Sequence, residues 1–150
     1  MRSRTILIMS VGLLLGANAW ASYAIYVGKN LTEDGSVMIG GSGEKKTLRL
    51  VAKYGDACNL FVNSPEEATH KLQVLRDHCA TAGTDYDSIR KTMLYTGGLL
   101  PGSDYEGFVA EMAGFAAAGI EGVMVMPLGP DPVRFTEAVA MQVVPRLAEL

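Results

Sequence analysis

The sequence has little of what marks several specialised classes of protein. Only 19% of its 150 residues are charged and 7% are aromatic, and the formal net charge is -3. Without a basic excess or many rings for base stacking, we expect no nucleic-acid-binding surface. The two cysteines, Cys58 and Cys79, can form at most one disulfide and lack the number and spacing of a zinc site. A disulfide-rich miniprotein is therefore excluded, and no metal is predicted.

The remaining composition is that of an ordinary globular protein. Apolar residues make up 49% of the chain, with 17 glycines and 6 prolines, which excludes extensive disorder and collagen-like repeats. The length is sufficient for one compact domain. Composition alone therefore predicts an α/β-like globular domain and nothing about its activity.

The first 21 residues have the order of parts found in a secretory signal peptide. Arg2 and Arg4 form a positive n-region, residues 5–16 are mainly apolar, and residues 19–21 offer a small-x-small cleavage pattern. The apolar segment is well short of the roughly 20 residues that a membrane-spanning helix needs. We therefore predict a signal peptide over residues 1–21, with an uncleaved N-terminal anchor or a buried strand as the alternatives.

After this segment, short apolar or β-branched stretches alternate with amphipathic helices. The strands are expected at residues 22–29, 38–41, 57–62, 89–96 and 123–126. The helices are expected at residues 44–54, from the capping box at Ser64 to near Gly83, after the cap Asp104, and from Asp131 to the C-terminus. This alternation predicts βα units and a mainly parallel sheet.

The segment SYAIYVGKNLTEDGSVMIGG predicts a hairpin over residues 22–37 and is similar to the mature N-terminus of the C69 dipeptidases. In that family the first mature residue is a cysteine that attacks an amide, with its own α-amino group as the base. Ser22 lies at the matching position. The resemblance implies an N-terminal-nucleophile amidohydrolase with Ser22 as its catalytic residue. An edge hairpin without a catalytic role is the alternative.

A glycine-rich turn at residues 40–43 joins a strand to a helix. Glycines leave the amides of Gly41, Ser42 and Gly43 accessible at the positive end of the following helix, which predicts a phosphate-sized anion site. The Ser42 hydroxyl and a charge from Lys45 or Lys46 would add to it. The spacing is neither that of a P-loop nor that of a dinucleotide fingerprint, so a turn without a ligand is the alternative.

From residue 38 onward the chain resembles the C-terminal portion of luciferase-like flavin oxidoreductases. The resemblance is carried by MIGGSGEKKTLRLVAKYGDACNLF, SPEEATHKLQVLRDHCATAGTDYDSIRKT and GFVAEMAGFAAAGIEGVMVMPLGPDPVRFTEAVAMQVVPRLAEL, and is strongest for the branch that uses the deazaflavin coenzyme F420. In this family the fold is a (β/α)8 barrel, and a glycine-rich loop holds the coenzyme phosphate at its C-terminal rim. By this resemblance the coenzyme-binding residues are Gly40, Gly41, Ser42, Gly43 and Glu44.

The resemblance implies an oxidoreductase that transfers hydride between F420, or alternatively FMN, and a small organic substrate. Residues 38–150 are far fewer than the roughly 250 of a typical barrel, so we expect a partial (β/α)8 barrel. Its open edges would be covered by a second copy, and aggregation through those edges is the alternative. An inactive, partner-dependent remnant is the alternative to an enzyme. The resemblance indicates the cytoplasm, whereas residues 1–21 indicate export.

The polar residues outside the loop give weaker signals. His70 and His78 lie two turns apart on one helix, too far to share a metal ion, and are expected to be solvated surface residues. A polar helix face is sufficient to explain Glu66, Glu67, Asp77 and Glu111.

Overall fold

Strands and helices alternate regularly in the computed structural model, which describes residues 25–27, 35–97, 104–127 and 130–150. The strands are β1 (Ile25–Val27), β2 (Met38–Gly40), β3 (Ala57–Leu60), β4 (Arg90–Tyr95) and β5 (Gly122–Val125). The helices are α1 (Thr47–Tyr54), α2 (Pro65–Ala82), α3 (Tyr105–Ala117), α4 (Pro132–Gln142) and α5 (Val144–Leu147). The predicted signal peptide and Ser22 lie outside the described residues.

These strands form one sheet in the order in which they occur along the chain. β1 is antiparallel to β2, whereas β2, β3, β4 and β5 are parallel to one another. Because each crossover joins neighbouring parallel strands with the usual right hand, the connecting helices lie on one face of the sheet. The four parallel strands with their helices are an α/β arrangement corresponding to part of a (β/α)8 barrel, as predicted.

The hydrophobic core lies between the sheet and these helices. Alternate strand residues face it, including Cys58 and Leu60 of β3 and Met93 of β4, all nearly inaccessible to solvent. The helices contribute Leu48, Val51, Leu72, Leu75, Phe108, Met112 and Phe115. Both cysteines are buried and free. The intervening strand residues point to the other face, which corresponds to the interior of a barrel.

Most helix ends are fixed by the short-range signals that the sequence contains. Ser64 Oγ accepts a hydrogen bond from the Glu67 amide at the start of α2, and Gly83 ends that helix with φ of +69°. Asp104 and Asp131 accept amide hydrogen bonds at the starts of α3 and α4. These predicted caps are confirmed.

The first helix differs from its prediction. It was expected to begin at Glu44 but begins at Thr47, since residues 44–46 form a turn in which the Gly43 carbonyl accepts from the Leu48 amide at 3.0 Å. The helix ends at Tyr54, as predicted, and Gly55 follows its last residue. Because this helix begins three residues later than predicted, the loop that contains the predicted anion site is three residues longer than expected.

Two further features concern the surface of the described part of the chain. None of its helices has the length and apolarity that crossing a membrane requires. Within the same residues β5 pairs with β4 alone. Met124 of β5 and Met126, just after this strand, are exposed. Coverage of this edge by a second copy stays a prediction.

Candidate functional site

The glycine-rich loop leaves the sheet at the edge where the four parallel strands end, which is the edge where α/β barrels build their sites. Gly41 has φ of +132°, a conformation that side chains with a Cβ rarely adopt. Its amide donates to the Asn59 carbonyl at 2.9 Å and so extends the pairing of β2 with β3. This bond corrects the prediction that the Gly41 amide is accessible to a ligand.

Ser42 connects the loop to the end of the neighbouring strand. Its Oγ donates to the Phe61 carbonyl at 2.7 Å and accepts from the Phe61 amide at 2.8 Å. The hydroxyl thus satisfies both backbone groups of Phe61, as the next residue of a strand would. The sequence suggested this hydroxyl as a donor to a phosphate, but its proton is already engaged.

The backbone after Gly41 is better suited to an anion. Within the described part of the chain, the N–H groups of residues 42–46 donate to no protein acceptor. The helix that follows begins at Thr47 with no side-chain cap and no acidic residue in its first turn, and Lys45 and Lys46 are exposed beside it. Free N–H groups, a helix N-terminus and two ammonium groups together favour a phosphate at this place.

Glu44 holds the loop against the second helix. Its carboxylate accepts from Lys71 Nζ at 2.7 Å and lies 3.2 Å from His70 Nε2, while its carbonyl lies 2.9 Å from His78 Nε2. The Lys71 hydrogen bond and charge, with a smaller contribution from His70, hold the pKa of the Glu44 carboxyl below its ordinary value. His78 is therefore a half-buried support for the loop, which corrects the expectation of a solvated surface residue.

A row of four residues crosses the barrel-interior face, from the last residue of β2, directly before the loop, to the first residue of β5. The strand register places Gly40 beside Asn59, Asn59 beside Thr92 and Thr92 beside Gly122. Asn59 and Thr92 are 9% and 6% exposed. Thr92 Oγ1 lies 2.9 Å from the Cys58 carbonyl and 3.0 Å from Asn59 Oδ1. Asn59 and Thr92 are not among the site residues predicted from the sequence, although both are polar residues within predicted strands.

Other ionisable groups near this edge have structural partners. Tyr95 OH donates to Glu111 Oε2 at 3.1 Å, and its ring makes an edge contact with Phe108. Burial, with a contribution from Glu111, raises the pKa of Tyr95. No group of three or more metal-binding side chains is close together among the described residues. The geometry there singles out no catalytic residue.

Two clefts lie away from the loop, toward the opposite end of the strands. One of about 290 Å³ is bounded by Ala116, Gly122 and Leu147. The other, of about 310 Å³, lies between the end of α1 and the segment after α2, bounded by Tyr54, Asp56 and Thr84. In α/β barrels that end of the strands serves stability. The glycine-rich loop therefore remains the candidate site.

The comparisons with known proteins bear on the fold. No family model and no curated protein matches the chain. Among solved structures, the chain is similar to an F420-dependent secondary alcohol dehydrogenase in complex with an F420-acetone adduct, with 18% identity and a TM-score of 0.57. The similarity shows the fold. It covers 72% of this chain and 47% of that chain, so this chain spans about half of its length. Nothing in these comparisons supports the C69 resemblance or the signal peptide.

Proposed function

We propose that this chain is an oxidoreductase of the luciferase-like type that binds the phosphate of coenzyme F420, or alternatively of FMN, at residues 40–46. The observation that carries the proposal is the set of unpartnered N–H groups at residues 42–46, at the C-terminal edge of a parallel sheet. The fold shared with an F420-dependent enzyme supports the choice of coenzyme. The secondary alcohol substrate of that enzyme is not part of the proposal for this chain.

Some residues of the loop would determine its backbone shape, and others would contact the phosphate. Gly40 and Gly41 have no side chain above the strand end, and Ser42 fixes the direction of the chain through Phe61. Gly43 and Glu44 contribute backbone N–H groups, which need no charge of their own to bind a phosphate oxygen. The Glu44 carboxylate is neutralised by Lys71, so it repels an anion less than a free carboxylate would.

The chemistry itself belongs to the coenzyme. When bound, F420 or FMN exchanges a hydride, with its two electrons, with an organic substrate, so that one is reduced as the other is oxidised. The described residues would hold the phosphate end and orient the ring toward the barrel-interior face.

A fluorescence titration of F420, and separately of FMN, tests the contribution of charge. Lys46→Gln removes a charge beside the N-terminus of α1, whereas the control Lys53→Gln removes one from the last turn of the same helix. We expect Lys46→Gln to weaken coenzyme binding roughly two- to fivefold, with more loss at low salt than at high salt, since one exposed charge contributes about 0.5–1 kcal/mol. Lys53→Gln should bind like the wild type. Equal effects of the two substitutions would contradict the proposal.

A second pair of variants tests the backbone contact. Gly43→Val introduces a branched side chain within the segment of unpartnered amides and should abolish saturable binding. Gly83→Val is the control, because it introduces strain at the end of α2, far from the loop. Circular dichroism establishes that each variant is folded. Binding that survives Gly43→Val in a folded protein would exclude these amides as the site.

A further inference from the structure

At the Glu44 carbonyl a side chain takes the place of a backbone amide. In a regular α-helix the amide of Leu48 would donate to this carbonyl, four residues earlier. Here it donates to the Gly43 carbonyl at 3.0 Å, one residue further back. His78 of α2 supplies the donor instead, with its Nε2 2.9 Å from the Glu44 carbonyl oxygen. Because a carbonyl oxygen can only accept, the Nε2 atom of His78 carries the proton.

His78 belongs to a face of α2 that is turned toward the loop. Lys71 lies seven residues earlier, which is about two helical turns, and so lies on the same face. Its Nζ is 2.7 Å from the Glu44 carboxylate, with the lysine side chain 15% exposed. Lys71 thus binds the side chain of Glu44, whereas His78 binds its backbone. Of these two contacts, the one from His78 fixes the orientation of a peptide group.

The direction of a carbonyl also sets the direction of the next N–H group. In a planar trans peptide the two groups point to opposite sides. The Gly43 carbonyl is turned toward the Leu48 amide, so the Glu44 N–H points away from α1. The Glu44 carbonyl is turned toward His78, so the Lys45 N–H points away from α2. Consecutive N–H groups held in a turn form a concave site for an anion.

These two N–H groups are fixed by different parts of the chain. The Glu44 N–H is fixed by a bond between the loop and the first turn of α1. The Lys45 N–H depends on His78, 34 residues after Glu44. Without His78 the peptide between Glu44 and Lys45 can rotate, which would turn a carbonyl oxygen toward the anion in place of the N–H. Repulsion would then replace a hydrogen bond.

On these grounds, and resting on the proposed function, we propose that His78 orients the peptide between Glu44 and Lys45 so that the Lys45 N–H binds the coenzyme phosphate. His78 is a positioning residue, because its Nε2 proton is engaged by the Glu44 carbonyl and it acts through this peptide. The ligand group is a phosphate ester, and inorganic phosphate shares its charge and its acceptor oxygens.

The test compares His78→Leu, which removes the donor, with His78→Gln, whose side-chain amide retains one. His70→Leu is the matched comparison, since His70 lies on the same helix and contacts the carboxylate of Glu44, at 3.2 Å, rather than its backbone. Fluorescence titrations of F420, and separately of FMN, measure coenzyme binding. We expect His78→Leu to weaken it about three- to tenfold, as for the loss of one hydrogen bond. His78→Gln should bind like the wild type, and His70→Leu should weaken binding less than His78→Leu does.

Amide spectra separate the orientation of this peptide from a general loss of stability. In ¹H–¹⁵N spectra of the wild type, inorganic phosphate should shift the amides of both Glu44 and Lys45. In His78→Leu, phosphate should still shift the Glu44 amide, whereas the shift of the Lys45 amide should be largely lost. His78→Gln should restore it. A uniform decrease of the shifts over residues 42–46 in His78→Leu would overturn the role of His78.

A measurement on the wild type keeps the proposal testable even if His78→Leu does not fold. Long-range ¹H–¹⁵N spectra of the His78 imidazole should show a proton on Nε2, as a donor to the Glu44 carbonyl requires. A proton on Nδ1 alone would overturn the proposal.

The outcomes distinguish this inference from the proposed function. Coenzyme binding that is lost in Gly43→Val but equal in His78→Leu and the wild type would overturn the role of His78 alone. A folded wild type in which neither a coenzyme nor inorganic phosphate shifts any amide of residues 42–46 would overturn both.

Discussion

Ser42→Ala should destabilise the protein before it affects any ligand. The substitution removes the hydroxyl that bonds to the Phe61 carbonyl at 2.7 Å and to the Phe61 amide at 2.8 Å. Each such bond contributes about 0.5–1.5 kcal/mol. Phe61 is only half-buried, so water replaces part of the loss, and we expect the free energy of unfolding to fall by about 1–2 kcal/mol. For a chain of this size that corresponds to a fall in Tm of roughly 2–8 °C.

Urea unfolding followed by circular dichroism measures this change. The matched control is Ser88→Ala, which removes a hydroxyl that makes one exposed bond, to the Asp85 carbonyl at 2.7 Å. Ser42→Thr retains the hydroxyl and should recover most of the stability. If Ser42→Ala and Ser88→Ala have equal effects within about 0.5 kcal/mol, the connection from the loop to β3 does not stabilise the fold, and the reasoning fails.

Three further predictions follow from single contacts. Gly41→Val should lower the urea midpoint more than Ser42→Ala does, because the φ of +132° at Gly41 is strained for any residue with a Cβ. An unchanged urea midpoint would contradict this backbone conformation. Burial raises the pKa of the Cys58 thiol to about 11. The free energy of unfolding should therefore fall as pH rises from about 9 toward 11, because the unfolded chain loses this proton more readily than the folded chain does. Iodoacetamide at about pH 8.5 should modify Cys58 only after unfolding. Lys91 Nζ lies 2.7 Å from Glu121 Oε1, with the lysine side chain 6% exposed, and 4.7 Å from the centre of the Tyr86 ring. Glu121→Ala leaves this ammonium with the ring contact but no carboxylate, so it should destabilise by about 1–3 kcal/mol in urea unfolding and by more than Lys91→Met does.

The fold was predictable where short-range signals determine it. The caps at Ser64, Asp104 and Asp131 bond to amides three residues away, so each is visible in the local sequence. The alternation of strands and helices likewise predicts a parallel sheet without knowledge of distant contacts. These features account for the agreement over most of the described residues.

The site was less predictable because its bonds join distant parts of the chain. Periodicity predicts Glu44 in a helix, but its carboxylate binds Lys71, 27 residues away. The local sequence predicts Ser42 as a donor to a ligand, because nothing near it reveals Phe61 as its partner. Asn59 and Thr92 become neighbours only through the pairing of β3 with β4. The sequence alone does not show which residues of these two strands are paired. The assignment of residues 40–44 to a coenzyme stays a prediction.

Amide chemical shifts during a coenzyme titration test the central claim most directly. In ¹H–¹⁵N spectra of the full chain, F420 or FMN should shift the amides of residues 42–46 most, and inorganic phosphate should shift the same amides with lower affinity. The Gly41 amide, already bonded to Asn59, should shift less. Saturable binding whose largest shifts lie at the opposite edge of the sheet, around Tyr54 and Thr84, or no shift in residues 42–46, would contradict the account.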